Sequence, residues 1–211
     1  MEESRKGVSS INAVVKEKDW IGDENSVFKM LGASNHTNED REQDDFYATE
    51  PKAIDILCEV EQFEGKIWEC ACGQGHLSER LKLHGYDVIS SDLIDRGYGT
   101  GNIDFLQCNK SFDGNIITNP PYKYAKEFIE KALELIPNRK KLAMFLKLQF
   151  LEGKARKDMF VRHPPRIVYV SSSRLLCAKN AIFHINGSAV AYCWYIWEKG
   201  YHGKTNIKWV N

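Results

Sequence analysis

Asn119, Pro120, Pro121 and Tyr122 stand in a row after the short apolar run Gly114–Thr118. A residue before proline is pushed out of the α region, and proline itself has a fixed φ and no N–H. Asn119 and Pro120 each precede a proline, so three successive residues lose most of their backbone freedom. The resulting corner is rigid and poor in donors. It presents a side-chain amide, bare carbonyls and an aromatic ring. Pro-Pro by itself makes only a stiff loop, so the chemistry depends on what else the chain supplies. It supplies a glycine loop and an acid. In Glu69-Cys70-Ala71-Cys72-Gly73-Gln74-Gly75, the two glycines let the backbone turn tightly and approach a ligand. A helix starting behind them offers free N–H groups to an anionic group. The full G-x-G-x-x-G is absent, with Ser78 at the third place, which argues against a dinucleotide pyrophosphate. Asp92, seventeen residues beyond Gly75, suits a pair of ribose hydroxyls, because a carboxylate accepts both donors. The bland alternative for Asp92 is a helix cap or a solvated turn. Asp104 could accept from an exocyclic amine, and Phe105 could flank a purine ring.

Alternating strands and helices are what would position these groups. "EPKAIDILCEVE" has helical spacing, with Ile54, Leu57 and Cys58 on one face. "KIWECA" reads as a strand running into the glycine loop, and "LSERLKLHG" as an amphipathic helix closed by Gly85. "YDVISSDL" and "NIITN" are the next strands, and "KYAKEFIEKALELI" a helix ended by Pro137. "KLAMFLKLQFL" then reads as a strand, "GKARKDMFVRH" as a short helix and "RIVYVSS" as a strand. From Asn180 to Trp197 the pattern predicts a hairpin turning at Asn186-Gly187-Ser188. This order predicts an α/β fold with a mostly parallel sheet covered on both faces. Ligands of such sheets bind beyond the strand C-termini, where strand order reverses. Residues 45–211 are expected to form one domain, preceded by an acidic, flexible extension, 1–44, with some helix near Ile11–Lys18.

Composition narrows the function classes. The 211 residues carry no formal net charge, which argues against nucleic-acid binding by bulk electrostatics. The distribution is uneven: residues 1–65 hold sixteen acids against seven bases, and residues 137–166 nine bases against two acids. The second segment could attract phosphates or simply form a solvated helix face. Six cysteines with no C-x-x-C spacing read as reduced thiols of an intracellular, cytoplasmic protein, and no histidine spacing predicts a metal. The start lacks a signal-peptide core, and the longest uncharged run contains His184, Asn186 and Gly187, so no membrane span is expected.

Five motifs in order resemble class I S-adenosylmethionine-dependent methyltransferases, and within them the adenine-N6 DNA methyltransferases often found in phages and prophages. They are "DFYATEP" (45–51), "WECACGQGHLSERL" (68–81), "SDL" (91–93), "DFL" (104–106) and "NPPY" (119–122), and the resemblance spans about 45–200. It implies a Rossmann-like, seven-stranded sheet, mostly parallel with a late antiparallel strand. It also implies S-adenosylmethionine as methyl donor, S-adenosylhomocysteine as product, and a bacterial or phage-infected host cell as setting. The methionine end would lie against Glu69, Ala71 and Gly73, with help from Tyr47 and Thr49. Gly75 completes the loop. Asp92, with Leu93 beside it, would hold the ribose, and Asp104 with Phe105 the adenine. Asn119 would belong to both the cofactor set and the catalytic set.

An adenine amino group is a poor nucleophile because its lone pair is conjugated with the ring. Acceptors on both of its N–H bonds pull the nitrogen toward a tetrahedral shape and free that lone pair. Asn119 Oδ1 and the Pro120 carbonyl would form such a pair, with Tyr122 stacked on the base. In a duplex the base must first be flipped out, at a cost of a few kcal/mol. Lys147 and Gln149 in the basic segment, and Arg174 beyond it, are candidates to hold the DNA backbone. Protein glutamine-N5 methyltransferases also carry NPPY but generally have a helical domain ahead of the catalytic one. RNA methylation and a non-catalytic binding subunit are further alternatives. DNA methyltransferases with this motif order usually carry a recognition domain after the catalytic one. None is expected here, so recognition would fall to local loops, to a separate subunit, or to a substrate other than duplex DNA.

Overall fold

The computed structural model describes residues 47–175, 177–179 and 190–211, all within one compact unit, 39–211. The expected extension 1–44 and the Asn-Gly-Ser turn lie outside the described residues. The strands are β1 (Tyr47–Thr49), β2 (Lys66–Glu69), β3 (Val88–Ser90), β4 (Gly114–Thr118), β5 (Lys141–Lys147), β6 (Ile167–Ser171), β7 (Cys177–Lys179), β8 (Tyr192–Glu198) and β9 (Asn206–Val210). The helices are α1 (Pro51–Val60), α2 (His76–Leu83), α3 (Ala125–Leu135) and α4 (Lys154–Arg162).

Seven strands form one sheet in the order β3-β2-β4-β5-β8-β6-β9. All neighbours are parallel except β8, which runs antiparallel to both β5 and β6. This is the expected Rossmann-like α/β sheet with its late antiparallel strand. Each face is covered by helices. Ile116 of β4 packs with Ile129 of α3 on one side, and its neighbour Ile117 packs with Ile54 of α1 and Leu81 of α2 on the other. That alternation follows from the period of two along a strand buried on both faces. α3 buries Ala125, Phe128, Ile129, Ala132 and Leu133, the spacing of one helical face, and stops where Ile136, held extended, precedes Pro137. α2 ends at His84, and Gly85 follows with φ +87°, the conformation that closes a helix.

Three expectations change. The run "KLAMFLKLQFL" is strand only to Lys147; Leu148–Leu151 turn into a 3₁₀ helix. The second strand of the expected late hairpin, β8, lies between β5 and β6 and so pairs with neither flank of the turn, while the hairpin's first strand lies outside the described residues; ahead of it, β7 joins β1. Tyr192 to Trp197 are all buried, and a strand that is apolar on both faces belongs inside a sheet rather than in a peripheral hairpin. Finally, β9 is a strand that sequence reasoning did not select, and it extends the sheet past β6 in parallel register.

The basic segment is also explained. Lys141 and Arg166 both reach Glu61, which is only 5% exposed, at 2.5 and 2.6 Å, and Tyr169 donates to the same carboxylate at 2.9 Å. Arg162 pairs with Glu130 at 2.6 Å, and Arg156 donates to the carbonyls of Phe150 and Glu152. Much of this charge therefore serves internal bonds. Lys141 and Arg166 also lie at the starts of β5 and β6, the sheet edge opposite the crevice.

Candidate functional site

Strand order reverses at β2: the chain crosses from β2 to β3 on one side and returns to β4 on the other. The C-terminal ends of β2, β3 and β4 carry Glu69, Asp92 and Asn119, and a cleft of about 370 Å³ opens there. Thr49, Glu69, Ala71, Asp92, Leu93, Asp104, Phe105 and Asn119 all line it. The structure thus gathers into one cavity eight side chains that the sequence scatters over seventy residues.

The glycine loop is held by side chains of the loop after β3. Gly73 and Gly75 have φ of +54° and +86°, which side chains with a Cβ rarely adopt. A Cβ on Gly75 would lie 2.5 Å from the Tyr98 ring, so that glycine makes room for a protein side chain rather than for a ligand. Asp92 Oδ2 accepts from Gly73 N at 2.7 Å, and Asp92 Oδ1 from Ile94 N at 3.0 Å. One carboxylate therefore ties the β2 loop to the β3 loop and still has lone pairs for hydroxyls. Asp92→Ala strands two backbone donors, and apo stability should fall by about 1–3 kcal/mol. Chemical denaturation without ligand checks this: a role confined to ligand hydroxyls would leave the apo protein unchanged.

Glu69 is 2% exposed and accepts from Ser78, whose Oγ lies 2.6 Å from Ser90 Oγ. Burial pushes its carboxyl up to about 8, against the lowering effect of the Ser78 hydrogen bond and helped by the charge of nearby Asp92. Burial also raises the Cys72 thiol to about 12 and Cys70 well above its ordinary value, so these cleft-lining cysteines are protonated and unreactive. Among the described residues, no cluster of three or more His, Cys, Asp or Glu could hold a metal ion. No described helix is long and apolar enough to cross a membrane.

The NPPY corner divides two hollows. Asn119 and Pro121 line the cleft, while Tyr122 lines a second hollow of about 300 Å³ with Lys147, Gln149, Phe150 and Arg156. Asn119 Nδ2 donates to Thr49 Oγ1 at 3.1 Å, so Oδ1 is the acceptor end of the amide. The Lys147 ammonium sits 5.1 Å from the Tyr122 ring centroid. Not every selected residue meets at the site. Gly73, Gly75 and Pro120 stand behind the lining, and exposed Arg174 lines neither hollow. Phe105 lines the cleft but is 2% exposed and packed against Trp68 and Phe128, so it is a wall rather than a free stacking face. Asp104 accepts from Leu106 N, capping the 3₁₀ turn Phe105–Gln107. Tyr47 contributes backbone to β1. Sequence reasoning missed His76, which lines the cleft at the first position of α2, and Phe150 in the second hollow, and it counted Arg156 there only as one charge of the basic segment. The one signal for His76 was its place directly behind the glycine loop.

Comparison with solved structures decides the fold. An Agrobacterium tumefaciens protein described as a predicted O-methyltransferase aligns with 74% of this chain and 85% of its own (TM-score 0.53, 11% identity). A modification subunit assigned to a type I restriction enzyme of Vibrio vulnificus aligns with 89% of this chain (TM-score 0.53, 12% identity). A Listeria monocytogenes protein assigned as a class I S-adenosylmethionine-dependent methyltransferase aligns with 76% (TM-score 0.50, 15% identity). The fold is that of the S-adenosylmethionine-dependent methyltransferases. The chain spans 62% of the Listeria protein and 50% of the Vibrio subunit. No protein-family model matches the chain, and no curated protein matches its sequence.

Proposed function

We propose that residues 45–211 form a methyltransferase domain that transfers a methyl group from S-adenosylmethionine to the exocyclic N6 amino group of adenine in DNA. The observation that carries this is the rigid corner between two hollows at the switch point, with Asn119 toward one and Tyr122 toward the other. The cleft fits the donor by its chemistry: a buried acid at Glu69, a second acid at Asp92 and exposed Leu93 at the lip. Glu69, Ala71 and Thr49 would hold the amino-acid end, Asp92 the ribose, and Leu93 with Asp104 and the Phe105 wall the adenine. When bound, the donor supplies an already activated methyl on a sulfonium.

The chain's own work is orientation. Asn119 Oδ1 and the Pro120 carbonyl accept the two N–H bonds of the target amine and strengthen as positive charge develops on its nitrogen. Tyr122 stacks on the base, worth about 1–3 kcal/mol. Lys147 and Gln149 beside it are placed for the flanking backbone, and a separate recognition subunit would supply sequence choice. Correct placement of the reactants accounts for roughly 7–11 kcal/mol in well-oriented systems. The test is to incubate the protein with DNA and labelled donor, digest to nucleosides and analyse by mass spectrometry. N6-methyldeoxyadenosine is the expected product. Label found only on protein glutamine or on RNA would overturn the choice of substrate.

A further inference from the structure

Two aromatic rings line the second hollow, Tyr122 and Phe150, and each has a cation over it. The Arg156 guanidinium lies 4.9 Å from the Phe150 centroid and the Lys147 ammonium 5.1 Å from the Tyr122 centroid. The two cations are held differently. Arg156 donates to the carbonyls of Phe150 and Glu152, so it is built into the turn that follows β5. Lys147 is the half-buried last residue of β5, and among the described residues its ammonium makes no hydrogen bond and no ion pair. The Tyr122 ring is what holds it, and the four-carbon stem lets it leave without moving the strand. Such a hold is worth only about two- to fivefold at a partly exposed position, whereas a stacked base gains roughly five- to a hundredfold.

Behind Tyr122 stands the buried Tyr192 ring, 6.0 Å away between centroids, so a base reaches Tyr122 from the hollow that Lys147 also lines. To stack there it must take the place of the ammonium. An ammonium displaced into water loses the ring and gains no new partner. Displaced beside a phosphate, it gains a charge-assisted hydrogen bond. Resting on the proposed stacking role of Tyr122, we infer that Lys147 is a specificity-determining residue: it covers the Tyr122 ring until a base arrives with a phosphate next to it. It thereby favours an amine held in a charged nucleic-acid strand over the same amine on an uncharged acceptor. The surroundings suit that exchange. Among the described residues the hollow's lining carries Lys147 and Arg156 against one acid, Glu152, and the exposed Gln149 amide adds donors beside them.

The test uses two short single DNA strands of one sequence, each with a single adenine. In the first, the linkages on both sides of the adenine are phosphodiesters; in the second, they are uncharged methylphosphonates. Transfer of label from S-adenosylmethionine is followed at varied strand concentration. Lys147→Ala should raise KM for the first strand about fivefold or more, the loss of a phosphate contact partly offset by the freed ring. For the second strand it should lower KM about two- to fivefold, because no cation then has to leave Tyr122. In both cases kcat should move little, and Lys147→Arg, which keeps a cation for ring and phosphate alike, should restore the original preference. An unchanged KM for the methylphosphonate strand would make Lys147 a plain phosphate contact, and a rise for both strands would make it part of the hollow's framework; either result overturns the inference. If the unmutated protein methylates neither strand, the proposed function fails and the inference falls with it, an outcome distinct from a variant that loses both strands equally.

Discussion

Asn119→Ala should lower kcat for adenine methylation by about a hundred- to a thousandfold or more, the usual cost of removing one preorganised acceptor or donor from a reacting centre. Affinity for S-adenosylhomocysteine should change little. The two halves of this expectation come from different atoms. In the proposed reaction Oδ1 accepts from the target amine and matters only as charge develops there, so its loss should appear in kcat. Nδ2 is bonded to Thr49 Oγ1, and losing that bond relaxes β1 against the cleft without removing any group that grips the ribose or the adenine. Two controls sharpen the result. Asn119→Asp keeps an oxygen but lacks the donor to Thr49, and should retain more activity than the alanine variant. Thr49→Val removes the anchor and a proposed contact to the donor's amino-acid end, and with saturating donor it should cost less than either. Single-turnover kinetics with saturating DNA would measure the chemical step directly. If alanine leaves that step within about threefold of the original, the corner is scaffolding, and the acceptor-pair account fails.

The parts of this molecule that were legible in the sequence are those where local chemistry and global position coincide. Gly73 and Gly75 must be glycine because their φ is positive, and NPPY must be a corner because proline leaves no other choice. Strand alternation gave the sheet, and the motif order gave which loop carries which side chain. What escaped was anything decided by partners distant in sequence. β8 reads as half a hairpin because Gly187 lies just ahead of it, yet its place between β5 and β6 depends on burying Trp194 and Trp197 on opposite faces. The basic segment looks like a phosphate patch until Glu61, some eighty to a hundred residues earlier, is seen to take Lys141 and Arg166. Asp92 carries both stories: its position at the end of a strand was visible, but its bond to Gly73 N was not. Lys147 and Gln149 share the second hollow with Tyr122, whereas Arg174 was chosen on charge alone and lines neither hollow.

Glu69→Gln should move stability and donor affinity in opposite directions. In the folded protein without ligand, burial holds the Glu69 carboxyl up to about 8, against an ordinary value of 4.5. A raised carboxyl means that the folded state keeps a proton the unfolded chain releases, so its stabilising contribution is complete below about pH 4.5 and declines as the pH rises toward 8. The slope is about 1.4 kcal/mol per pH unit at most, for a total of a few kcal/mol across the window. Glutamine cannot ionise, and its side-chain oxygen can still accept from Ser78. The variant should therefore lose less stability than the original protein between pH 5 and about 8.5, and the difference between the two denaturation curves isolates Glu69 from every other titrating group. Donor binding should show the reverse. An ammonium brought against a buried carboxylate draws it into the ionised form, and replacing that carboxylate with an amide removes one member of a buried charge pair, at a cost of roughly 2–5 kcal/mol. S-adenosylhomocysteine should weaken accordingly, while 5′-methylthioadenosine, with no ammonium, should bind the variant about as well as the original. A protein whose pH dependence matches that of its glutamine variant, and which binds both ligands undiminished after the change, would place the buried acid in the core of the fold alone and move the donor's charged end away from the glycine loop.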